Sequence, residues 1–170
     1  TKWWNDAEFP AHILPKLAAL ELSAPAQRGY SNLFAGLVIA EMTRVDTSLA
    51  TFFLVHHDLF VESLYGFGSE EQKARLLADA AALRTTGAFA LTEPDHGSDV
   101  AGGMETTARR VSGGAAGDHW VLNGAKRWIG NGTFCDYMLV WARDEADGGV
   151  RGFIVDATLP GVSRSRIENK

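Results

Sequence analysis

Residues 88–99 combine chemical groups that suit an anion bound at the end of a strand. The apolar run 88–91 predicts a strand that enters a core. The chain then breaks at Glu93 and Pro94, because proline fixes its own backbone and disfavours helix at the preceding residue. Gly97 and Ser98 follow with an unobstructed backbone and a hydroxyl, a pairing that suits a diphosphate. Taken alone, the stretch is also explained by a polar turn after an ordinary strand.

A second stretch, residues 124–132, reads Gly-Ala-Lys-Arg-Trp-Ile-Gly-Asn-Gly. Together the two stretches resemble the paired signatures of the acyl-CoA dehydrogenase and acyl-CoA oxidase superfamily. There the first reads roughly aromatic-x-hydrophobic-Thr-Glu-Pro-x-x-Gly-Ser-Asp and the second Asn-Gly-x-Lys-x-Trp-Ile-x-Asn. Both are matched here in the same order. Within the superfamily, residues 44–46 are most similar to glutaryl-CoA dehydrogenases and residues 126–131 to short-chain acyl-CoA oxidases.

Composition narrows the class of protein. The chain has 170 residues, of which 46% are hydrophobic and 22% charged, as in a soluble globular core. The net charge of -5 argues against a nucleic-acid or anionic-membrane surface, which needs clustered Lys and Arg. No apolar run is long enough to span a bilayer, and no signal peptide opens the chain. Because Cys135 is the only cysteine, we expect a reducing compartment: the cytoplasm, or mitochondria or peroxisomes in a eukaryote.

The first half predicts four helices, because apolar residues recur at three- and four-residue intervals. Pro15 either kinks the first helix or marks its true start. In the third helix, which is apolar on most sides, His56, His57 and Asp58 are expected to form a polar stripe toward solvent or a neighbouring domain. Alternatively, one of the two histidines faces a ligand cavity. The predicted N-caps are, in order, Asp6, Ser31 or Asn32, Asp46 or Thr47, and Ser69, the last within a capping box.

The second half is rich in glycine and predicts short strands without intervening helices. The fold class is therefore α+β: a helical domain, residues 1–84, followed by an antiparallel, barrel-like β domain, residues 85–170. Asn123-Gly124 predicts a two-residue hairpin, and Gly113-Gly114 and residues 147–149 predict further reversals. No G-x-G-x-x-G follows a strand, which excludes a Rossmann site. The predicted strands are 86–92, 105–111, 120–122, 125–129, 137–143, 152–155 and 161–163.

The resemblance implies a longer protein than these residues provide. Family members have an N-terminal helical domain, a middle β domain and a C-terminal helical bundle that carries a catalytic glutamate. On that pattern the chain is a fragment without the bundle, and its catalytic base is unknown. A non-catalytic binding or scaffold role is the alternative.

The cofactor implied by the resemblance is FAD, which in the family accepts a hydride from the β-carbon of an acyl-CoA. The sequence does not predict a metal site, since the histidines are scattered and do not have the spacing of metal ligands. The residues expected to contact the flavin edge, its ring or its diphosphate are Phe89, Ala90, Leu91, Thr92, Gly97, Ser98, Trp128, Ile129 and Gly130, with Ser98 also near the substrate.

The implied reaction is α,β-desaturation of a short- or medium-chain acyl-CoA, with electron-transferring flavoprotein or oxygen as acceptor. Family members of full length suggest a homotetramer or homodimer. An acyl-CoA oxidase and a flavin monooxygenase on the same scaffold are the rival enzymes. Gly130 favours the acyl-CoA oxidase, because typical dehydrogenases have threonine at this position and glycine leaves space for oxygen beside flavin N5.

Overall fold

The computed structural model describes residues 2–6, 8–24, 26–97, 99–113 and 117–168. The chain divides into two units, Thr1–Thr85 and Thr86–Lys170. The first unit is helical and the second is built on a five-stranded sheet. The predicted α+β class is confirmed.

The first unit holds six α-helices among its described residues, with short 3₁₀ and π segments between them. Pro15 lies in the first turn of the second helix, where its missing N–H costs nothing, so it marks a true start. The cap predicted at Asp6 is wrong, because Asp6 follows the first helix instead of opening one. The helices are α1 Lys2–Asn5, a 3₁₀ turn Ala11–Ile13, α2 Leu14–Ala19, a 3₁₀ turn Ala26–Arg28, α3 Asn32–Val45, α4 Thr47–Leu54, a π-helix Val55–Val61, α5 Glu62–Phe67 and α6 Glu70–Ala81.

The other predicted caps are confirmed. The Ser31 hydroxyl and the Asp46 carboxylate each accept a hydrogen bond from the backbone N–H three residues on. At α6 the capping box is complete: Ser69 Oγ accepts from Gln72 N at 3.2 Å, and Gln72 Oε1 accepts from Ser69 N at 2.9 Å. These bonds satisfy helix N–H groups that have no partner within the helix.

The helical segments α4, the π-helix and α5 run on without a break, as the third predicted helix requires. Phe52 and Phe53 point into the core of the first unit, where they pack with Leu17 and Leu83. His56 and His57 are also buried, at 0% and 1% exposure. For these two residues the predicted polar stripe toward solvent is therefore wrong, whereas Asp58, its third member, is partly exposed.

The second unit carries strands β1 Gly87–Ala90, β2 Thr107–Val111, β3 His119–Asn123, β4 Tyr137–Asp144 and β5 Val150–Asp156, with a short helix α7, Val100–Gly103. On one edge, β4 pairs in parallel with β1 and then with β2; on the other it pairs antiparallel with β5. The β2–β3 pair is antiparallel. The described strands thus form an open, mixed sheet, and the predicted antiparallel barrel is wrong. Turn signals identify hairpins, whereas the parallel pairs join segments that are distant in sequence.

Two predicted strands do not form. Residues 125–129 are a loop, so the hairpin predicted at Asn123-Gly124 is wrong; Asn123 is instead the last residue of β3, paired with Thr107. Residues 161–163 contain no strand either. The reversal at residues 147–149 is confirmed by a bond from Gly149 N to Asp147 Oδ1. Gly113 has the positive φ expected of a reversal, and Gly114 lies outside the described residues.

Candidate functional site

The end of β1 is an edge of the sheet. Among the described strands β1 pairs only with β4, so its other edge pairs with none of them. Phe89 is half-buried, its ring 5.8 Å from that of Trp141, and Ala90 is buried. The chain then leaves the sheet through Leu91 and Thr92. Thr92 is half-buried at this point.

Glu93, at the centre of the first motif, is bonded within the protein. Its carboxylate is buried and accepts three hydrogen bonds, from Glu105 N at 2.6 Å, Thr106 N at 2.9 Å and Lys126 Nζ at 2.8 Å. Burial disfavours its charge, but the Lys126 ammonium and the two amides outweigh that cost and lower the Glu93 pKa to about 2. The carboxylate is therefore an ionised structural acceptor at neutral pH.

Lys126 joins the two motifs directly. Besides Glu93, its ammonium donates to Leu91 O at 3.0 Å. The next residue adds a backbone bond, from Arg127 N to Thr92 O at 2.9 Å. Burial lowers the Lys126 pKa, and the carboxylate opposes that shift. Residues 91–93 and 126–127 are thus held side by side, although they are far apart in the sequence.

The second motif presents an aromatic ring from a strained backbone. Trp128 has φ of 61° and is 54% exposed, and Arg127 Cζ lies 4.9 Å from its ring centroid. A bulky residue in the left-handed region stores strain that the surrounding structure must hold. Asn131, also at positive φ, donates from Nδ2 to Gly87 O at 3.1 Å. This bond ties the loop that contains Ile129 and Gly130 to the start of β1.

The remaining predicted contacts lie on the loop between β1 and α7. Gly97 is exposed, and a Cβ added there would meet nothing within 4 Å, so no close approach within the chain requires glycine. Ser98 lies outside the described residues. His96 is held between two carboxylates, Asp99 Oδ2 at 3.0 Å and Glu105 Oε1 at 3.5 Å, and the bond to Asp99 raises the His96 pKa.

The histidine and the cysteine considered in the sequence analysis, His56 and Cys135, are both part of the packed interior. His56 Nε2 lies 2.9 Å from Ala80 O, which joins the π-helix to α6. Cys135 is buried, and burial raises the pKa of its thiol, so it is not an activated nucleophile. In the described ranges no group of three or more His, Cys, Asp and Glu side chains could hold a metal ion. Nor does any helix there have the length and apolar character needed to cross a bilayer.

These features fit one side of a flavin site. An isoalloxazine ring needs an apolar surface against one face and hydrogen-bonding groups along its edge. The half-exposed Trp128 indole is an apolar surface of the first kind, and the Thr92 hydroxyl is a polar group of the second kind. The hollow along Leu91 and Glu93 is shallow and encloses no volume that could hold even a small ligand. The described residues therefore form a wall and not a closed pocket. The hollow is lined by Leu91, Glu93, His96, Gly97, Val100 and Met104.

Comparison with known proteins identifies the family. The family model of the acyl-CoA dehydrogenase N-terminal domain matches residues 1–84, and that of the middle domain matches residues 88–170. This chain belongs to the acyl-CoA dehydrogenase family. The family predicted from the two motifs is confirmed, and both motifs lie within the part that matches the middle domain.

Among acyl-CoA dehydrogenases of known structure, the chain is similar to glutaryl-CoA dehydrogenase from Mycobacterium smegmatis. The two share 38% identity at a TM-score of 0.90, over 99% of this chain and 43% of the other. A structure of a glutaryl-CoA dehydrogenase from the same organism, in complex with FADH2, matches at 36% identity and the same TM-score, over the same share of each chain.

Curated relatives give a similar picture. Human short-chain specific acyl-CoA dehydrogenase, a mitochondrial protein, is 34% identical over 95% of this chain and 40% of its own length. Mitochondrial isovaleryl-CoA dehydrogenase from Pongo abelii is 32% identical over 90% of this chain and 37% of its own length. The chain thus spans about two fifths of the relatives it matches.

Sequence reasoning identified the motifs but missed Glu93 and Lys126 as a pair. The signal was present: the family signatures contain a glutamate and a lysine, and a carboxylate and an ammonium that enter a core need each other. What the sequence does not show is that the two loops are adjacent.

Proposed function

We propose that the whole protein carrying this chain is an FAD-dependent acyl-CoA dehydrogenase that desaturates the α,β bond of an acyl-CoA thioester. The observation that carries the proposal is the junction of the two motifs: Lys126 and the Arg127 amide hold the residues after β1 beside the exposed Trp128 indole. Residues 1–84 and 85–170 would be the N-terminal and middle domains.

When bound, FAD supplies the hydride acceptor. The residues of this chain would bind and orient it. Phe89, Ala90, Leu91 and Thr92 provide backbone groups and one hydroxyl for the ring edge, and Trp128 packs on the ring. The backbone of Ile129 and Gly130 approaches the reactive edge, where fixed donors stabilise developing negative charge. Gly97 and Ser98 would lie by the diphosphate or the thioester. The catalytic base is unknown.

The visible spectrum of the whole protein tests this function. We expect purified protein to show a flavin band that butyryl-CoA bleaches under anaerobic conditions, since no acceptor then reoxidises the flavin. A protein without flavin would favour a binding or scaffold role. A flavin that acyl-CoA leaves oxidised would favour other chemistry on the same scaffold, such as a monooxygenase.

We infer that the substrate is a monocarboxylic acyl-CoA of short or medium chain. Glutaryl-CoA dehydrogenases, which resemble this chain at Arg44-Val45-Asp46, grip a second carboxylate with an arginine several residues further on. Ungapped alignment puts that position at Ala50, and no Lys or Arg occurs in residues 45–72. The sequence also suggests an apolar wall of Phe52, Phe53 and Val55 for an unbranched acyl chain. In the structure Ala50 is buried and Phe52 and Phe53 belong to the core, so the proposal rests on charge alone.

Turnover of a set of acyl-CoA thioesters by the whole protein separates the two substrate classes. We expect butyryl-CoA and hexanoyl-CoA to give higher kcat/KM than glutaryl-CoA, because an unpaired substrate carboxylate would lose its water without gaining a cation. Faster turnover of glutaryl-CoA would contradict the proposal.

The electrons would pass to electron-transferring flavoprotein, with oxygen as the second candidate. Gly130, which is exposed, favours the second, because a missing threonine side chain opens a path for oxygen. We propose a homodimer or homotetramer without nucleic-acid or membrane partners, in the cytoplasm or, in a eukaryote, in mitochondria or peroxisomes.

Gly130→Thr in the whole protein tests oxygen access. If this protein is an oxidase, the substitution should lower peroxide production several-fold with acyl-CoA and air as the sole acceptor, because the added side chain narrows the approach. Turnover with an artificial dye acceptor is the control and should change less. Equal, negligible peroxide from both proteins would identify a dehydrogenase.

A further inference from the structure

We propose that Glu93 and Lys126 are positioning residues that set the two flavin-binding loops in register with each other. The inference rests on the proposed function, because the loops are those assigned to the flavin edge and ring. Neither side chain is assigned a contact with the flavin. They would act through Thr92 and Trp128, the residues to which the proposed function assigns contacts with the flavin.

The carboxylate of Glu93 is bonded at both of its oxygens. Both carboxylate oxygens are used: one accepts from Glu105 N, and the other accepts from Thr106 N and Lys126 Nζ. The side chains are 3% and 10% exposed. The pair is therefore inside the protein, and both oxygens of the carboxylate already have donors from the chain.

The bonds converge from three separate segments of the second unit. Glu93 comes from the loop after β1, the two amides come from the approach to β2, and Lys126 comes from the loop after β3. Lys126 also reaches back to Leu91 O, two residues before its carboxylate partner. A single ion pair thus fixes the relative placement of three loops.

Stability alone is a weak reason for such a pair. Removing two charges from water costs about as much as their attraction returns, and a well-packed apolar pair often stabilises a protein as well or better. An apolar pair, however, has no directional hydrogen bonds. Three hydrogen bonds on one carboxylate admit one arrangement of the loops, whereas apolar packing tolerates several.

The ion pair lies next to the backbone bond that joins the two flavin-binding loops. Arg127 N, adjacent to Lys126, donates to Thr92 O, adjacent to Glu93. Trp128 follows at positive φ, an arrangement that an unsupported loop would relax. Loss of the pair should therefore let Trp128 turn away from the Thr92 segment, even where the fold survives.

Arg151 offers a matched control in the same unit. Its guanidinium lies 3.0 Å from Asp144 Oδ2 and 2.8 Å from Asp147 Oδ2, so it also pairs with carboxylates, one of them buried. It spans only the β4–β5 turn and touches neither motif. Arg151→Met should therefore cost stability without affecting the loops.

The test compares Lys126→Met, Glu93→Gln and Arg151→Met in the whole protein at a temperature where all are folded. For the first two we expect the FAD Kd to rise at least tenfold, and hydrogen exchange of the Arg127 amide in the FAD-free protein to accelerate at least tenfold. For Arg151→Met both should match the wild type. Between pH 8 and pH 5 the Kd of Lys126→Met should rise on acidification more steeply than that of the wild type, because Glu93 without its cation takes up a proton. Protonation of His96, whose pKa is raised by its bond to Asp99, occurs in both proteins and cancels in this comparison.

A purely structural role would appear as a lower melting temperature with unchanged Kd and unchanged Arg127 exchange, and would overturn the inference. If the wild type binds no FAD, the proposed function fails. The exchange measurement still decides the inference in that case: unchanged protection of the Arg127 amide in Lys126→Met and Glu93→Gln refutes it.

Discussion

Gly124→Ala is expected to lower the free energy of unfolding of the 170-residue chain by about 3 kcal/mol, the upper part of the range for overpacked interiors. An ideal Cβ at Gly124 would lie 2.5 Å from Thr106 Oγ1 and 2.7 Å from Thr106 Cα. The hydroxyl can rotate away, but the backbone atom cannot. The φ of 155° adds strain for any residue with a Cβ.

The displaced residue also supports the site. Thr106 N donates to Glu93, and Thr107 opens β2, so a shift at Gly124 should reach the carboxylate between the motifs. We therefore expect Gly124→Ala to weaken FAD binding in the whole protein as well as stability. Urea denaturation and FAD titration measure the two effects.

Gly36→Ala is the matched control. Gly36 lies inside α3, and a Cβ there would meet nothing within 4 Å. Alanine is favoured over glycine in a helix by about 0.5–1 kcal/mol, so this variant should be more stable than the wild type. Equal destabilisation by both substitutions would show that the contact with Thr106 is not what makes Gly124 necessary.

The helical half could be predicted from sequence because its signals are local. The caps at Ser31, Asp46 and Ser69 act within one turn, and the start of α2 at Pro15 follows from a single missing N–H. The surroundings of His56 and His57 could not, since burial depends on α6 and other segments that meet this helix only in the folded unit. A polar residue type predicted an exposed surface that the packing does not provide.

The sheet shows the same division between local and distant contacts. The β4–β5 turn follows from residues 147–149, and five strands lie close to their predicted positions. The parallel pairing of β1 with β4 could not be predicted in this way, because no turn connects the two strands directly. Asn123-Gly124 gave a false hairpin signal because residues after it are bound by Leu91, Thr92 and Glu93 instead of by β3. Tertiary contacts overrode a local preference.

Of the candidate site, the residue types were predictable and their supports were not. The resemblance placed Thr92 and Trp128 beside a flavin, and the structure brings their loops together through Lys126 and the Arg127 amide. The roles assigned to these residues stay predictions. Neither the strain at Trp128 nor the buried state of Glu93 follows from a motif, because both are properties of the assembled loops.

Trp128→Ala and Trp128→Gly are both expected to raise the FAD Kd of the whole protein at least about tenfold, the loss of roughly 1.4 kcal/mol of ring contact. Their stabilities should differ in an unusual order. Glycine normally destabilises a protein relative to alanine, but at φ of 61° alanine bears a penalty of about 1–2 kcal/mol that glycine avoids. The glycine variant should therefore be the more stable of the two.

Trp120→Ala is the control for Trp128→Ala, because it removes an indole from the same unit but not from the candidate site. Trp120 is 39% exposed on β3, and its ring packs 5.2 Å from that of Phe153 on β5, a residue of neither motif. This variant should lose stability but retain the wild-type FAD Kd. If Trp120→Ala weakens FAD as much as Trp128→Ala does, the indole of Trp128 has no special contact with the flavin. If alanine at position 128 is instead more stable than glycine, the left-handed backbone of Trp128 stores no strain, and the loop adopts it without support from Glu93 and Lys126.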